Sequence, residues 1–411
     1  MAVVGHAADA AGVGSRLEVR PPGAGGATLE GRLDRDGVLL LGENAGMGGI
    51  NSYLVNLADG LRQRGIPVTV AVVWPKEDEW LAGRCRELDI PLTVLARHRT
   101  SEQLPLAAWR LAHQLPRVRP AVLHTQAHFS GLVGRAAVRL SGRNACLVST
   151  LHDIIVGDAR LGMKFVYWLD WATYGCNRAT AAVSEHLAGA IRKRGVRVRQ
   201  LEVVRNGIPL RPDSSASGVR SSETAAGLPV IGFVGRLSSE KNCAALIQAA
   251  ARLVRQRGRI FRLLILGDGP ERAALEGLAR TLGVWSVTTF EGSRSNVDAY
   301  YEQMDLVAVP SLREGLPLVV LEAMRLRLPV VASRTGGIPE VVSDEETGLL
   351  VQPGDVVALA DAIARCLDDP ALRGRLGEAG RRRVGEVFSL DGMVERTIAM
   401  YRRALTAATV R

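Results

Sequence analysis

From Val38 onward, short apolar runs alternate with amphipathic stretches, and this alternation constrains the fold more than any other feature of the 411-residue chain. VLLLGE, VTVAVVW, LTVLA, AVLHT, CLVSTLH and ATAAVS read as strands. Helices are expected between them, from Ile50 to Arg64 and near 77–88, 102–115 and 131–140. A second βα series begins at Val230 and runs to about Leu367. Strands that alternate with helices in this way predict doubly wound parallel sheets of the α/β class.

The flanking segments read differently. Residues 1–36 are rich in Gly, Ala and Pro, lack periodicity and are expected to form a flexible tail. LRPDSSASGVRSSETAAGLP, from Leu210 to Pro229, is polar and Ser-rich and reads as a linker. FSLDGMVERTIAMYRRAL, from Phe388, predicts an amphipathic helix with Met393, Ile398 and Tyr401 among its apolar positions. The expected division is a tail over 1–36, a first domain over 37–208, a linker over 209–229, a second domain over 230–387 and a terminal helix over 388–411.

Composition narrows the function classes. With 47% hydrophobic and 23% charged residues, the chain can build two separate cores. Cys85, Cys146, Cys176, Cys243 and Cys366 are odd in number and scattered without a Cys-x-x-Cys pair, which points to neither a disulfide framework nor a zinc site. No apolar run approaches the roughly 20 residues that span a bilayer, and the amino terminus lacks a basic leader with an apolar core. The expectation is a cytoplasmic protein, with peripheral contact at the inner face of the membrane left open. A formal charge of +10 invites a nucleic-acid partner, but only 4% of residues are aromatic and no nucleic-acid motif accompanies the charge. LGMKFVYWLDWATYG gathers Phe165, Tyr167, Trp168, Trp171 and Tyr174 with Lys164 as its one basic residue. It therefore reads as a core or pocket-lining helix rather than an interfacial one.

Glu314 and Glu322 stand eight positions apart in PSLREGLPLVVLEAMRLRLPVVAS. DLVAVPS reads as a strand, EGLPLVVLEAM as a loop entering a helix and LPVVAS as the next strand, which sets Glu314 at a strand's carboxyl end. Glu322 follows about two turns along the helix, so both acids can reach one elongated ligand in the crevice. In GFVGRLSSEKN, Arg236 and Lys241 are five apart across a strand-to-helix turn. A helix start disfavours cations, so two of them there point to an anionic partner.

IGFVGRLSSEKNCAALIQAAARLV, ILGDGPER, TFEGS and RTGGIPEVVSDEETGLLVQPGD occur in order around the two acids. This string resembles the carboxyl half of the family 4 retaining glycosyltransferases, and the resemblance runs from about Val38 to the last helix. It implies two facing Rossmann-like domains (the GT-B architecture) with a C-terminal helix that crosses back to the first domain. It also implies transfer of a hexose or N-acetylhexosamine from a nucleotide sugar, a UDP-sugar by preference, to an acceptor hydroxyl. The setting expected is synthesis of a cell-surface glycan or lipid-linked precursor, with a small natural product or cyclitol as the alternative acceptor. An inactive relative that only binds a nucleotide sugar is the alternative from another class.

Residue by residue, the resemblance implies that Arg236 and Lys241 clamp the diphosphate, Glu322 binds ribose and Glu314 touches hydroxyls of the transferred sugar. Gly315 and Leu316 are expected to begin the helix after Glu314 and to offer amide groups to phosphate. Main chain at Ser293 and Arg294 matches the segment along the base. Gly48 and Gly49 match a loop over the diphosphate, and His152 matches a histidine near the reaction centre. His124 and His128 are read as ending a strand at the crevice and lining the acceptor side, together with Asn51 and Asp153.

Two other designs fit poorly. Gly46-Met47-Gly48-Gly49-Ile50-Asn51 has Asn where a dinucleotide fingerprint needs its third Gly, and VTVAVVWPK lacks the ribose-binding acid. Asp34-Arg35-Asp36 forms an Asp-x-Asp string only by chance, since it precedes a strand, so the reading is metal-independent, with no cofactor. The chain departs from the family where Arg327 replaces a helix-ending Gly, which requires a different turn or strain, and where Pro317 replaces a loop Gly.

Overall fold

The six apolar runs before Val230 become parallel strands of the first unit, β1 (Val38–Asn44), β2 (Val68–Trp74), β3 (Leu92–Val94), β4 (Val122–Gln126), β5 (Cys146–Leu151) and β6 (Ala179–Ala182), and Leu201–Val203 adds an edge strand, β7, that was not among them. The computed structural model describes residues 29–75, 80–98, 100–142, 145–153, 161–210 and 227–407. Contacts divide the chain into one unit of Met1–Gly207 with Leu390–Arg411 and another of Ile208–Ser389. Most of the expected linker, and the chain's last four residues, lie outside the described residues.

The first sheet runs β3-β2-β1-β4-β5-β6-β7, and Val38 pairs with Val68 on one side and Val122 on the other. Period-two alternation sends Val38 and Leu40 into one core and Leu39 and Leu41 into another, which is why the strand reads as a continuous apolar run. The helix Leu390–Thr406 belongs to this unit and packs on the helix Gly49–Gln63. It adds Met393, Val394, Ile398, Met400 and Tyr401 to the core under β1.

Part of the expected tail is structured. Leu29–Asp36 is a helix whose Leu33 is buried in that same core, and Gly37 N–H closes it on the Leu33 carbonyl at 3.0 Å. Two leucines at i and i+4 in an eight-residue, otherwise polar stretch are too short a periodicity to read from sequence, yet Leu33 suffices when a preformed groove receives it.

The second unit carries β8 (Val230–Val234), β9 (Arg262–Leu266), β10 (Thr288–Gly292), β11 (Leu306–Val309), β12 (Val330–Ser333) and β13 (Leu349–Val351), in the order β10-β9-β8-β11-β12-β13. Asp355 and Asp369 start its helices Val356–Asp368 and Pro370–Val387 by accepting from Ala358 and Leu372 amides, both at 2.9 Å. The arginine-rich stretch near the C terminus has a structural use. Arg373, Arg381 and Arg383 donate to carbonyls of Cys366, Arg325 and Val341 at 2.6, 2.6 and 2.7 Å, so cations meet the negative ends of three helices.

Candidate active site

In each sheet the chain leaves a central strand to one side and later returns on the other. The resulting switch points, β1/β4 and β8/β11, are where open α/β sheets form crevices at the carboxyl ends of their strands. Lys241, Glu314, Gly48, Gly49 and His152 collect there, whereas Arg294 follows the edge strand β10.

At the β8/β11 crevice, Lys241 closes a 3₁₀ turn after β8 and Glu314 lies in the loop after β11. Lys241 Nζ donates to Glu314 Oε1 at 2.7 Å, and Ser311 Oγ donates to the same oxygen at 2.8 Å. Arg236 is exposed in the loop between β8 and that turn. Gly336, at φ +55°, supports the loop from beneath: a Cβ there would come within 1.8 Å of the Glu314 carbonyl oxygen. Only glycine satisfies both the backbone angle and the contact.

Glu322 sits on the helix Leu318–Arg325 and accepts from Tyr301 Oη at 2.9 Å. Burial pushes its carboxyl above the usual carboxylate range, against the Tyr301 hydrogen bond and the Arg325 charge, which both pull it down. Arg325 in turn is held by Asp298. Arg294 pairs with Glu291 at 3.1 Å, so its side chain is engaged within its own loop.

The helix after Glu314 does not begin at Gly315 and Leu316. It begins at Leu318 with Pro317 as its extended N-cap, because proline's ring pushes the preceding residue out of the helical region. Arg327 takes the strained solution to its missing glycine, with φ at +60°.

At the β1/β4 crevice, Gly48 and Gly49 are exposed at the start of the helix Gly49–Gln63, which has neither a side-chain cap nor an acid in its first turn. Asn51 is buried and donates to the Asn44 carbonyl at 2.9 Å and to the Gly46 carbonyl. It shapes the glycine loop rather than facing an acceptor. His152, after β5, is half-buried; its ring meets Tyr53 edge-on at 4.8 Å and its Nε2 lies 2.8 Å from Gln126 Oε1. Asp153 beside it is exposed.

His124 and His128 are not placed as expected. His124 lies within β4, is 0% exposed and has both ring nitrogens engaged, by Tyr401 Oη at 2.6 Å and Thr150 Oγ1 at 2.7 Å. Alternation along β4 turns it into the core under the C-terminal helix, away from any acceptor-lining position. His128 does not end the strand; it opens the helix His128–Leu140, buried with its Nδ1 2.6 Å from Asp170 Oδ2. Arg135 binds the other oxygen of Asp170. The aromatic helix Leu161–Thr173 is only partly a core element, since Asp170 is buried while Phe165 and Trp168 are each 62% exposed.

Sequence reasoning missed Ser311, Tyr301 and Gln126. Ser311 stands three residues before Glu314, a spacing that brings a hydroxyl back to a loop carboxylate; no local signal marks the other two. Among the described residues, no group of three or more His, Cys, Asp or Glu is placed to hold a metal ion. No helix among them is long and apolar enough to cross a membrane.

Two parallel-sheet α/β units with their charged residues at the switch points define the GT-B architecture. Residues 47–211 match the Glycosyltransferase Family 4 pattern, and residues 219–383 match that of Glycosyl transferases group 1. The D-inositol 3-phosphate glycosyltransferase of Saccharomonospora viridis is 30% identical over 397 residues, 88% of this chain and 90% of that protein. The chain belongs to the GT-B glycosyltransferases. It is also similar to two proteins of Streptomyces kanamyceticus: an alpha-D-kanosaminyltransferase (36% identical over 42% of this chain and 45% of that one) and a 2-deoxystreptamine glucosyltransferase (34% over 51% and 56%). The chain thus spans about half the length of these two relatives. Among solved structures, the Thermosynechococcus elongatus sucrose-phosphate synthase shares the fold with a TM-score of 0.76 at 24% identity, over 90% of this chain and 100% of that one. Anabaena HepE in complex with UDP does so with 0.73 at 22%, over 89% and 99%.

Proposed function

We propose that this glycosyltransferase moves a hexose or N-acetylhexosamine from a nucleotide sugar, with a UDP-sugar preferred, to an acceptor hydroxyl. The transfer retains the anomeric configuration and needs no metal ion. The observation that carries this reading is the 2.7 Å contact of Lys241 with Glu314 at the β8/β11 switch point, which sets a cation and a carboxylate side by side.

As the bond between the sugar's anomeric carbon and the phosphate oxygen breaks, its electron pair passes to the diphosphate. Lys241 and Arg236 grip that growing charge more strongly than they grip the intact donor, which lowers the barrier. Glu314 receives sugar hydroxyls on Oε2, since Oε1 already accepts from Lys241 and Ser311. Glu322 accepts from the ribose, and main chain at Arg294 runs along the base. Amides at Gly48 and Gly49, at an uncapped helix start, face the phosphates. The acceptor hydroxyl attacks on the face the diphosphate leaves, and a departing phosphate oxygen takes its proton. His152 contacts the transferred sugar, and Asp153 an acceptor hydroxyl. The reaction is placed in the cytoplasm, with the outward Phe165 and Trp168 as the side chains through which a peripheral membrane contact would form.

For the acceptor, the names of two relatives favour a cyclitol over a cell-surface glycan or lipid-linked precursor, since 2-deoxystreptamine and inositol are both hydroxylated carbocycles. The test is incubation with UDP-glucose or UDP-N-acetylglucosamine, a chelator and a panel of cyclitols, with the product's anomeric coupling read by NMR. An α-linked glycoside formed without metal supports the reading. An inverted linkage, strict metal dependence, or nucleotide-sugar binding with neither transfer nor hydrolysis counts against it.

A further inference from the structure

Four side chains of the first unit form an unbroken hydrogen-bonded line from the C-terminal helix to His152. Tyr401 Oη lies 2.6 Å from His124 Nδ1, Gln126 Nε2 lies 3.2 Å from His124 Nε2, and His152 Nε2 lies 2.8 Å from Gln126 Oε1. A neutral imidazole has one donor and one acceptor, and an amide has one end of each kind, so every link fixes the next. With the Gln126 nitrogen toward His124, His124 Nε2 must be bare, and its proton sits on Nδ1 and is donated to Tyr401. The other end of the amide is then an oxygen, which requires a proton on His152 Nε2 and leaves His152 Nδ1 bare.

The surroundings agree with this direction. Thr150 Oγ1, 2.7 Å from His124 Nε2, can donate to the same bare nitrogen. Burial pulls both imidazoles down to about 3, so each ring is neutral and its tautomer is a definite property. Turning the Gln126 amide over would reverse every link and put the proton of His152 on Nδ1. The two arrangements do not mix, so one tautomer reports the whole line.

We propose that Tyr401, acting through His124 and Gln126, is a positioning residue that holds His152 in the Nε2–H tautomer and leaves Nδ1 as a hydrogen-bond acceptor for a substrate hydroxyl. The role given to Nδ1 rests on the reading of His152 as part of the transfer site. The C-terminal helix then contributes to the chemistry of the β1/β4 crevice as well as to the core, and neither His124 nor Tyr401 touches substrate.

The test is long-range ¹H–¹⁵N spectroscopy of the full-length, histidine-labelled protein, with His124→Asn and His152→Asn used to assign the rings. The wild type should show His124 as Nδ1–H and His152 as Nε2–H. In Tyr401→Phe, His124 loses its acceptor, moves its proton to Nε2 and donates to Thr150; the amide turns and His152 becomes Nδ1–H. Turnover should then fall at least about 10–100-fold with donor KM nearly unchanged, the range found when the partner orienting a metal-ligating imidazole is removed. A His152 that stays Nε2–H in Tyr401→Phe overturns the proposal. Should that variant fail to fold, Gln126→Met cuts the line at its middle: His152 should lose its tautomer preference while His124 keeps its own, and an unchanged His152 overturns the proposal equally. A tautomer change with full turnover upholds the line and removes His152 from the transfer step.

Discussion

Lys241 and Glu314 are 73 residues apart in the chain and 2.7 Å apart in the fold. Their strands, β8 and β11, are neighbours only because the sheet changes direction between them. A lysine at the start of a helix opposes the helix dipole, and the nearly buried Glu314 carboxylate offsets that cost while no anion is bound. On the proposed function, the pair exchanges part of its mutual attraction for the donor's diphosphate.

Removing either cation should therefore cost turnover more than binding. For Lys241→Ala and Arg236→Ala, steady-state rates are expected to fall on the order of 10²–10³, the usual loss of one preorganised charged donor. Near-normal turnover in either variant, with the donor still bound, would take that residue out of the clamp.

Glu322 should trade stability for binding. Its folded-state pKa is raised by burial, so the stability it contributes is complete below the ordinary carboxylate value and is lost as pH rises through the raised one. Glu322→Gln keeps an oxygen for Tyr301 and removes the charge. Its Tm should match wild type near pH of about 4 and exceed it increasingly toward neutrality. UDP affinity should drop about 10–100-fold, as for a lost hydrogen bond to a charged group. A Tm difference that is flat with pH would show that the buried charge costs nothing.

Gly336→Ala brings a Cβ within 1.8 Å of the Glu314 carbonyl at a backbone angle that alanine resists. Equilibrium urea unfolding should show a loss of about 1–3 kcal/mol with an unchanged m-value, and turnover should fall with it. Wild-type stability would mean that the loop beneath Glu314 shifts freely.

Deleting residues 390–411 removes Met393, Val394, Ile398, Met400, Tyr401 and Leu405 from the first core. At about 1.5–3 kcal/mol for each buried side chain, the loss is on the order of 10 kcal/mol, comparable with the whole stability of a domain. Limited proteolysis should then digest the first unit and spare a fragment of the second. Equal protection of both would contradict the account of the C-terminal helix.

The strands and the carboxyl edges that carry Arg236, Lys241, Glu314 and His152 were legible because apolar periodicity and short motifs are local properties. The contacts that give these residues their character were not. Tyr401 reaches His124 across 277 positions, and nothing in either neighbourhood announces it. His124 itself was misplaced because alternation within β4 decides which face a residue takes, and a one-residue difference inverts the answer. Pro317 could have moved the helix start from Gly315 to Leu318, since the constraint before a proline is local. The helix Leu29–Asp36 could not, because its buried Leu33 depends on a groove formed by distant residues.

The most direct test of the nucleotide-sugar reading is the thermal unfolding of the purified protein with UDP, GDP or ADP in the presence of a chelator. A nucleotide at about 100 times its Kd adds about 2.7 kcal/mol to the folded state, enough to move the midpoint visibly. A shift with UDP that exceeds those with GDP and ADP and survives the chelator is the expected result. No shift with any of the three, for a protein shown to be folded, would contradict it.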